Sequence, residues 1–176
     1  MLGGWSGIGR GGRVHEIESA VTIALDRTVE ESYSIGVGHI QRILSSYPIL
    51  EADAVAIVKA KVKDRRPEIA IVALHLLDDL MRLRGTSVQH LCISKTLPRV
   101  LKMATPSMVG STVVRDKASD MIHKWGSTYG TDTRLLDYAA ASADLRRKEL
   151  KHGLLKHPGP APSLTGVPIS PPTYPS

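Results

Sequence analysis

The sequence predicts an all-α protein: a stack of helices between residues 14 and 152, with a Gly-rich lead-in over 1–13 and a Pro-rich tail over 153–176. Three observations carry that expectation. Through the middle of the chain apolar residues recur at helical spacing, and no stretch alternates as a strand would. Gly and Pro are sparse there and fall as punctuation about every 15–20 residues, the length of a helix with its turn. The chain has no Phe and only 4% aromatics against 42% hydrophobic residues, so its core rests on Leu, Ile, Val, Met and Ala. That palette favours closely packed helices over a β-sandwich.

Taken in order, a first helix runs through Glu16 to Asp26, with Ile17, Ala20, Val21 and Ala24 or Leu25 on one face. Thr28 followed by Glu31 has the form of a capping box and opens a second helix through Tyr33, Val37, Ile40 and Leu44. Gly36 and Gly38 each cost that helix about 1 kcal/mol relative to Ala. After the Tyr47-Pro48 turn, Val55, Val58 and Val62 mark a third helix that ends at Lys63-Asp64. A fourth runs from Pro67, a first-turn proline, to Arg84, with Gly85 as its C-terminal cap. Ile69, Val72, Leu76, Leu80 and Leu83 line one stripe of it, and Ile71, Leu74, Leu77 and Met81 line another; only His75, Asp78, Asp79 and Arg82 are polar. A helix apolar over most of its circumference has to be covered on two sides. Thr86 and Gln89 repeat the capping pattern ahead of a fifth segment, which breaks near Pro98 and resumes through Val100 to Met103. Beyond the loop TPSMVGS, a sixth helix presents Val114, Ala118, Met121 and Trp125, and a seventh presents Leu135, Tyr138 and Leu145 before a basic run.

At 176 residues there is room for one domain with a well-formed core. The lone Cys92 excludes a disulfide framework and any multi-cysteine zinc site, which fits a reducing, cytosolic compartment. Neither a signal-peptide core nor a run of about 18 apolar residues is present, so an inserted or secreted protein is not expected. The net charge of +6 permits contact with acidic peptides, anionic lipid or nucleic acid without selecting among them.

The order of the segments, with the central stretch ALHLLDDLMRLRG and the later SDMIHKWGSTYG, resembles a VHS domain of the ENTH/VHS superfamily over roughly Val14 to His152. The residues that carry the likeness are Pro67, Ala73, Leu74, Leu76, Leu77 and Gly85, then Trp125 and Tyr129. The loop from Thr105 to Ser111 is similar to that of GGA-type members. The resemblance implies a right-handed superhelix of about seven to eight helices in a cytoplasmic sorting adaptor, peripherally associated with endosomal or trans-Golgi membranes. It implies protein partners, ubiquitin or cargo-tail peptides, and no cofactor. Ubiquitin would meet the second and fourth helices at Tyr33 and Val37, with His75, Asp78, Asp79 and Arg82 as the facing edge. Tyr33 stands where Trp is commoner, and Gly38 where a carboxylate often lies; packing of Tyr33 and Val37 on the first helix is the alternative. Acidic dileucine signals would use Lys95 with Arg146 and Arg147, although Pro98 departs from that subgroup's pattern.

Other constellations are weaker. Gly7, Gly9 and Gly12 satisfy GxGxxG without a preceding strand, so no dinucleotide site is expected. The histidines are scattered, no nucleophile elbow or P-loop occurs, and an enzyme is not expected. The basic run around Arg146, Arg147 and Lys148 suits a solvated helix end or contact with an anionic membrane. It lacks interleaved aromatics, so nucleic-acid binding is not expected. Asp132 to Leu136 spells a dileucine signal, but Asp132 is better read as a cap, with Leu135 and Leu136 in the core. The tail carries too little apolar surface to fold. Within it Pro171, Pro172 and Tyr174 form PPxY, a ligand motif for WW domains, and the overlapping Pro172 to Pro175 resembles a PTxP sorting signal. Two other classes remain: a helical domain that binds the C-terminal repeats of RNA polymerase II, and a phosphoinositide-binding coat component of the ENTH or ANTH kind, whose Lys-rich first helix is missing here.

Overall fold

The computed structural model describes residues 9–106 and 110–154, and among these every regular element is helical. The order is α1 Arg10–Leu25, α2 Ser32–Ser46, a single 3₁₀ turn Pro48–Leu50, α3 Glu51–Val62, α4 Pro67–Arg84, α5 Thr86–Lys95, α6 Leu97–Ala104, α7 Thr112–Tyr129 and α8 Leu136–Lys151. Neighbours in sequence are neighbours in space: α1 packs on α2, α3 on α4, α6 on α7 and α7 on α8. Helix α4 touches α1, α2, α3, α5 and α7. Its Ala73, Leu74, Leu76, Leu77, Leu80 and Met81 are all buried, the two-sided cover that its twin apolar stripes require.

The core follows the helical periodicity closely. Ile17, Ala20, Val21, Ala24 and Leu25 of α1 are buried, as are Ile40 and Leu44 of α2, Val55, Val58 and Val62 of α3, and Ala118, Met121 and Trp125 of α7. Trp125 is 1% exposed, and its ring lies edge-on to Tyr138 of α8 with centroids 6.1 Å apart. The Tyr138 hydroxyl donates to the Gln89 carbonyl at 2.7 Å, which ties α8 to α5. Burial of rings whose polar tips are satisfied is how a core poor in aromatics uses the few it has. A buried ion pair fixes the opposite side: Arg84 Nε donates to Glu51 at 2.8 Å, and Ser87 donates to the same carboxylate, joining α4, α3 and α5.

The expected helix ends depart from the observed ones, and tertiary contacts are the reason. Helix α1 begins at Arg10, inside the stretch expected to be a flexible lead-in. Arg10 pairs with Asp53 of α3 at 2.9 Å, and the Arg13 guanidinium sits 4.6 Å from the centre of the Tyr47 ring, anchors that offset the glycines of the first turn. Neither capping box forms. Thr28 turns back, and its N–H and hydroxyl both donate to Asp26; Gln89 instead donates to the buried carbonyl of Met81 at 3.1 Å. The break expected near Pro98 falls at Thr96, because proline is tolerated in the first turn of α6. Asp132 closes the turn before α8 by accepting from the N–H and guanidinium of Arg134 and does not cap the helix itself. Leu135 is 2% exposed, whereas Leu136, expected in the core, is 53% exposed, since the helix starts between them and turns its side chain outward.

Gly36 has a packing role that its helix propensity hides. A Cβ there would stand 2.5 Å from the Ala24 Cβ and 2.6 Å from the Ala20 carbonyl oxygen. The absence of a side chain therefore sets how closely α1 and α2 approach. Gly85 ends α4 with φ of 67°, a conformation that favours glycine, and its N–H reaches back to the Met81 carbonyl at 3.1 Å.

Candidate functional site

Helix α4 packs against both α2 and α7, and its polar strip carries side chains that reach each of them. Tyr33 lies in the first turn of α2, half-buried, and its hydroxyl donates to Asp79 Oδ2 at 2.6 Å. The other oxygen of Asp79 accepts from Arg82 at 2.8 Å. Val37, one turn along α2 from Tyr33, is half-buried and packs against the core. His75 lies one turn before Asp79 on α4, open to solvent on one side and partly covered on the other. Hydrogen bonds thus join Tyr33 of α2 to Asp79 and Arg82 of α4, with Val37 one turn from Tyr33 and His75 one turn from Asp79 along their own helices.

Asp78 belongs elsewhere. Expected on the facing edge, it is buried at 7% exposure, with Oδ1 accepting from the Trp125 indole N–H at 2.8 Å and Oδ2 from Lys124 Nζ at 2.5 Å. Its carboxylate satisfies an indole donor that would otherwise be buried without a partner, so its role is to seat α7 on α4. Adjacent residues on a helix point about 100° apart, which is enough to put Asp78 inside and Asp79 at the surface.

The electrostatics of the face are locally balanced. Burial pushes the Asp79 carboxyl upward, but the hydrogen bonds from Tyr33 and Arg82 outweigh it and hold the group below its ordinary range. Burial, then the bond to Asp79, raises the Tyr33 hydroxyl well above the ordinary phenol range, so it remains a donor. His75 is lowered, first by burial and then by the Lys117 charge of α7, against the opposing pull of Asp78 and Asp79. At neutral pH it presents an uncharged imidazole. The result is an aromatic edge and an aliphatic side chain beside one internally paired Asp–Arg unit.

The remaining sequence candidates are dispersed. Lys95 is exposed at the end of α5, and Arg146 and Arg147 are exposed on α8. Asp144 draws in Arg147 at 3.2 Å and Lys148 at 2.8 Å, so part of that basic run is neutralised within its own helix. Pro171, Pro172 and Tyr174 lie outside the described residues. Cys92 is buried, and its thiol is pushed up by that burial to about 12. Among the described residues no group of three or more His, Cys, Asp or Glu side chains is placed to hold a metal ion, and no helix is long and apolar enough to cross a membrane. Between α7 and α8, His123 bridges Ser142 at 2.9 Å and the buried Glu149 at 2.9 Å, and Glu149 also accepts from Ser119. This network locks the two helices together.

Sequence reasoning missed a set of cations. Lys63 and Arg65 of the α3–α4 turn, Arg99 of α6 and Arg115 of α7 line one cavity of about 250 Å³. Nothing in their spacing signals it, because only the fold brings the four together. No protein-family model matches the chain, and no curated protein matches it in sequence.

Proposed function

We propose that the chain is a VHS-type adaptor module that binds ubiquitin through Tyr33 and Val37 of α2 and His75, Asp79 and Arg82 of α4. Sorting at endosomal or trans-Golgi membranes is the setting of this reading, and binding rather than catalysis is its task. The observation that carries it is the 2.6 Å hydrogen bond from Tyr33 to Asp79, which pins an aromatic of α2 beside the polar strip of α4. Two helices thereby offer one surface with an apolar centre and a charged rim, the composition of a small protein-recognition patch. Both Tyr33 and Val37 are half-buried, so the area on offer is small and the affinity is expected to be weak.

The same reading takes the stack as a right-handed superhelix, in which successive helix pairs lean on their neighbours and α4 lies in the middle. Contacts of α4 with five other helices support that arrangement. Cargo-tail recognition by Lys95, Arg146 and Arg147 ranks below ubiquitin, since Arg147 is already engaged by Asp144. The tail motif Pro171, Pro172 and Tyr174 would add a WW-domain partner.

The test is titration of the isotopically labelled chain with unlabelled ubiquitin, followed by NMR. Amide shifts are expected at Tyr33, Val37, His75 and Arg82, and Val37→Asp should abolish them while leaving the helical circular dichroism unchanged. Equal binding by Val37→Asp would remove the face from consideration. Silence with ubiquitin, together with a response to a phosphorylated polymerase repeat, would overturn the reading as a whole.

A further inference from the structure

Helices α1 and α3 pack side by side. Arg10, at the start of α1, pairs with Asp53, near the start of α3, at 2.9 Å. Thr22 and Ile23, near the end of α1, face Ala60 and Lys61, at the end of α3, across a groove of about 770 Å³. The two helices therefore point the same way, and the groove runs between them from the Arg10–Asp53 end.

The groove is apolar and shallow-floored. Ala56 and Ala60 are exposed, Ile57 is half-buried, and Ile23 is left 36% exposed while its helical neighbours Ala20, Val21 and Ala24 are buried. Ser19 and Thr22 add two hydroxyls. The titratable groups that line it are few: His15 and Glu18, which face each other at 3.4 Å, and Lys61. Such a lining suits an apolar occupant without charge. The groove on the other side of α1, between α1 and α2, differs in being rimmed by Arg13, His15, His39 and Arg42.

The chain itself supplies an occupant of that chemistry at the mouth of the groove. Residues 1–8 lie outside the described residues and read MLGGWSGI, with Met1, Leu2, Trp5 and Ile8 apolar and no charged side chain. They join α1 through Gly9, next to the Arg10 that pairs with Asp53, so the segment leaves the helix where the groove begins. The reach fits. Trp5 precedes Gly9 by four residues and can extend about 13 Å from it. Ala56 to Ala60 lie about 4–10 Å beyond Asp53 along α3. To enter the groove the segment has to reverse direction, which a glycine at position 7 permits.

We propose that residues 1–8 fold back into the α1–α3 groove and seat the Trp5 ring on Ile23, Ile57 and Ala60. Ser19 or Thr22 accepts from the indole N–H, so the ring is covered with its polar edge satisfied. The segment then shields the outer face of α1, and any partner that takes this face has to displace it. Docking of the segment does not depend on the ubiquitin reading.

The experiment is NMR of the whole chain with labelled isoleucine methyls and tryptophan indoles. Nuclear Overhauser contacts are expected from Trp5 to the methyls of Ile23 and Ile57. Ala60→Arg, a change at an exposed position, fills the groove and should abolish those contacts while the helical circular dichroism stays as it was. Fluorescence gives a second reading. Trp125 is 1% exposed and stays screened from a soluble quencher. Trp5 should be screened in the parent chain and become quenchable, with red-shifted emission, in Ala60→Arg; Trp5→Phe should remove that difference. If Trp5 is as quenchable in the parent chain as in Ala60→Arg and touches neither isoleucine, the proposal fails. Contacts to Ile43 and His39 also overturn it, since they would put the segment in the cation-rimmed groove. So do contacts found only between differently labelled chains in a mixed sample, which would make a second copy the source of the occupant.

Discussion

Two polar regions of the stack handle charge in opposite ways. Between α2, α4 and α7 both aspartates of the α4 strip have partners: Asp79 holds Tyr33 and Arg82, and Asp78 holds Trp125 and Lys124. At the cavity beside the α3–α4 turn, four cations face a single lining carboxylate that is already engaged by Arg66. Both regions are built on α4 and α7 or their ends, so the difference is not one of scaffold. Charges cancelled in place leave shape and apolar contact as the means of recognition. Charges left in excess leave a demand for an anion.

The largest expected effect breaks the comparison at its buried end. Asp78→Ala strands the Trp125 indole N–H and should lower the stability of the fold by about 3 kcal/mol, read as a shifted denaturant midpoint. Asp78→Asn keeps an acceptor and should recover part of the loss, while Asp79→Ala, at the surface, should cost no more than about 1 kcal/mol. Equal costs at 78 and 79 would mean that both carboxylates are surface groups. Next, Tyr33→Phe removes one hydrogen bond from the face and should destabilise by about 1 kcal/mol, with Asp79 still held by Arg82.

At the cavity the sign reverses. Relief of crowding by Lys63→Gln should stabilise the anion-free chain at low salt by about 0.5 kcal/mol, and high salt should erase the gain. A loss of stability there would show that Lys63 has a partner after all. The smallest effect concerns His75. Its folded-state pKa is lowered by burial and by Lys117, so on acidification through the ordinary imidazole value of about 6.5 the unfolded chain takes up a proton that the folded chain resists. Stability should fall as pH drops through that window, and His75→Gln should flatten the slope. An imidazole titration by NMR with a midpoint at or above about 6.5 would contradict the assignment.

Helix order and core were legible in the sequence because periodicity is a local property. Ile17, Val21, Leu74, Leu77 and Trp125 are buried where the spacing of apolar residues puts them. Helix ends were less legible: the hydroxyl of Thr28 and the amide of Gln89 found other partners once the chain had folded. The candidate face was half legible. Tyr33, Asp79 and Arg82 are joined by hydrogen bonds across α2 and α4, but the inward turn of Asp78 depends on a tryptophan 47 residues later. The cation cavity left no local trace, since Lys63, Arg99 and Arg115 come from separate segments and each alone resembles an ordinary solvated charge.

One titration tests the division between the two regions most directly. Backbone NMR of the whole labelled chain is recorded with unlabelled ubiquitin. Shifts are expected at Tyr33, Val37 and His75, with Arg99 and Arg115 left in place. Ubiquitin shifts confined to the cavity, or none at all, would contradict the assignment of protein recognition to the charge-balanced face.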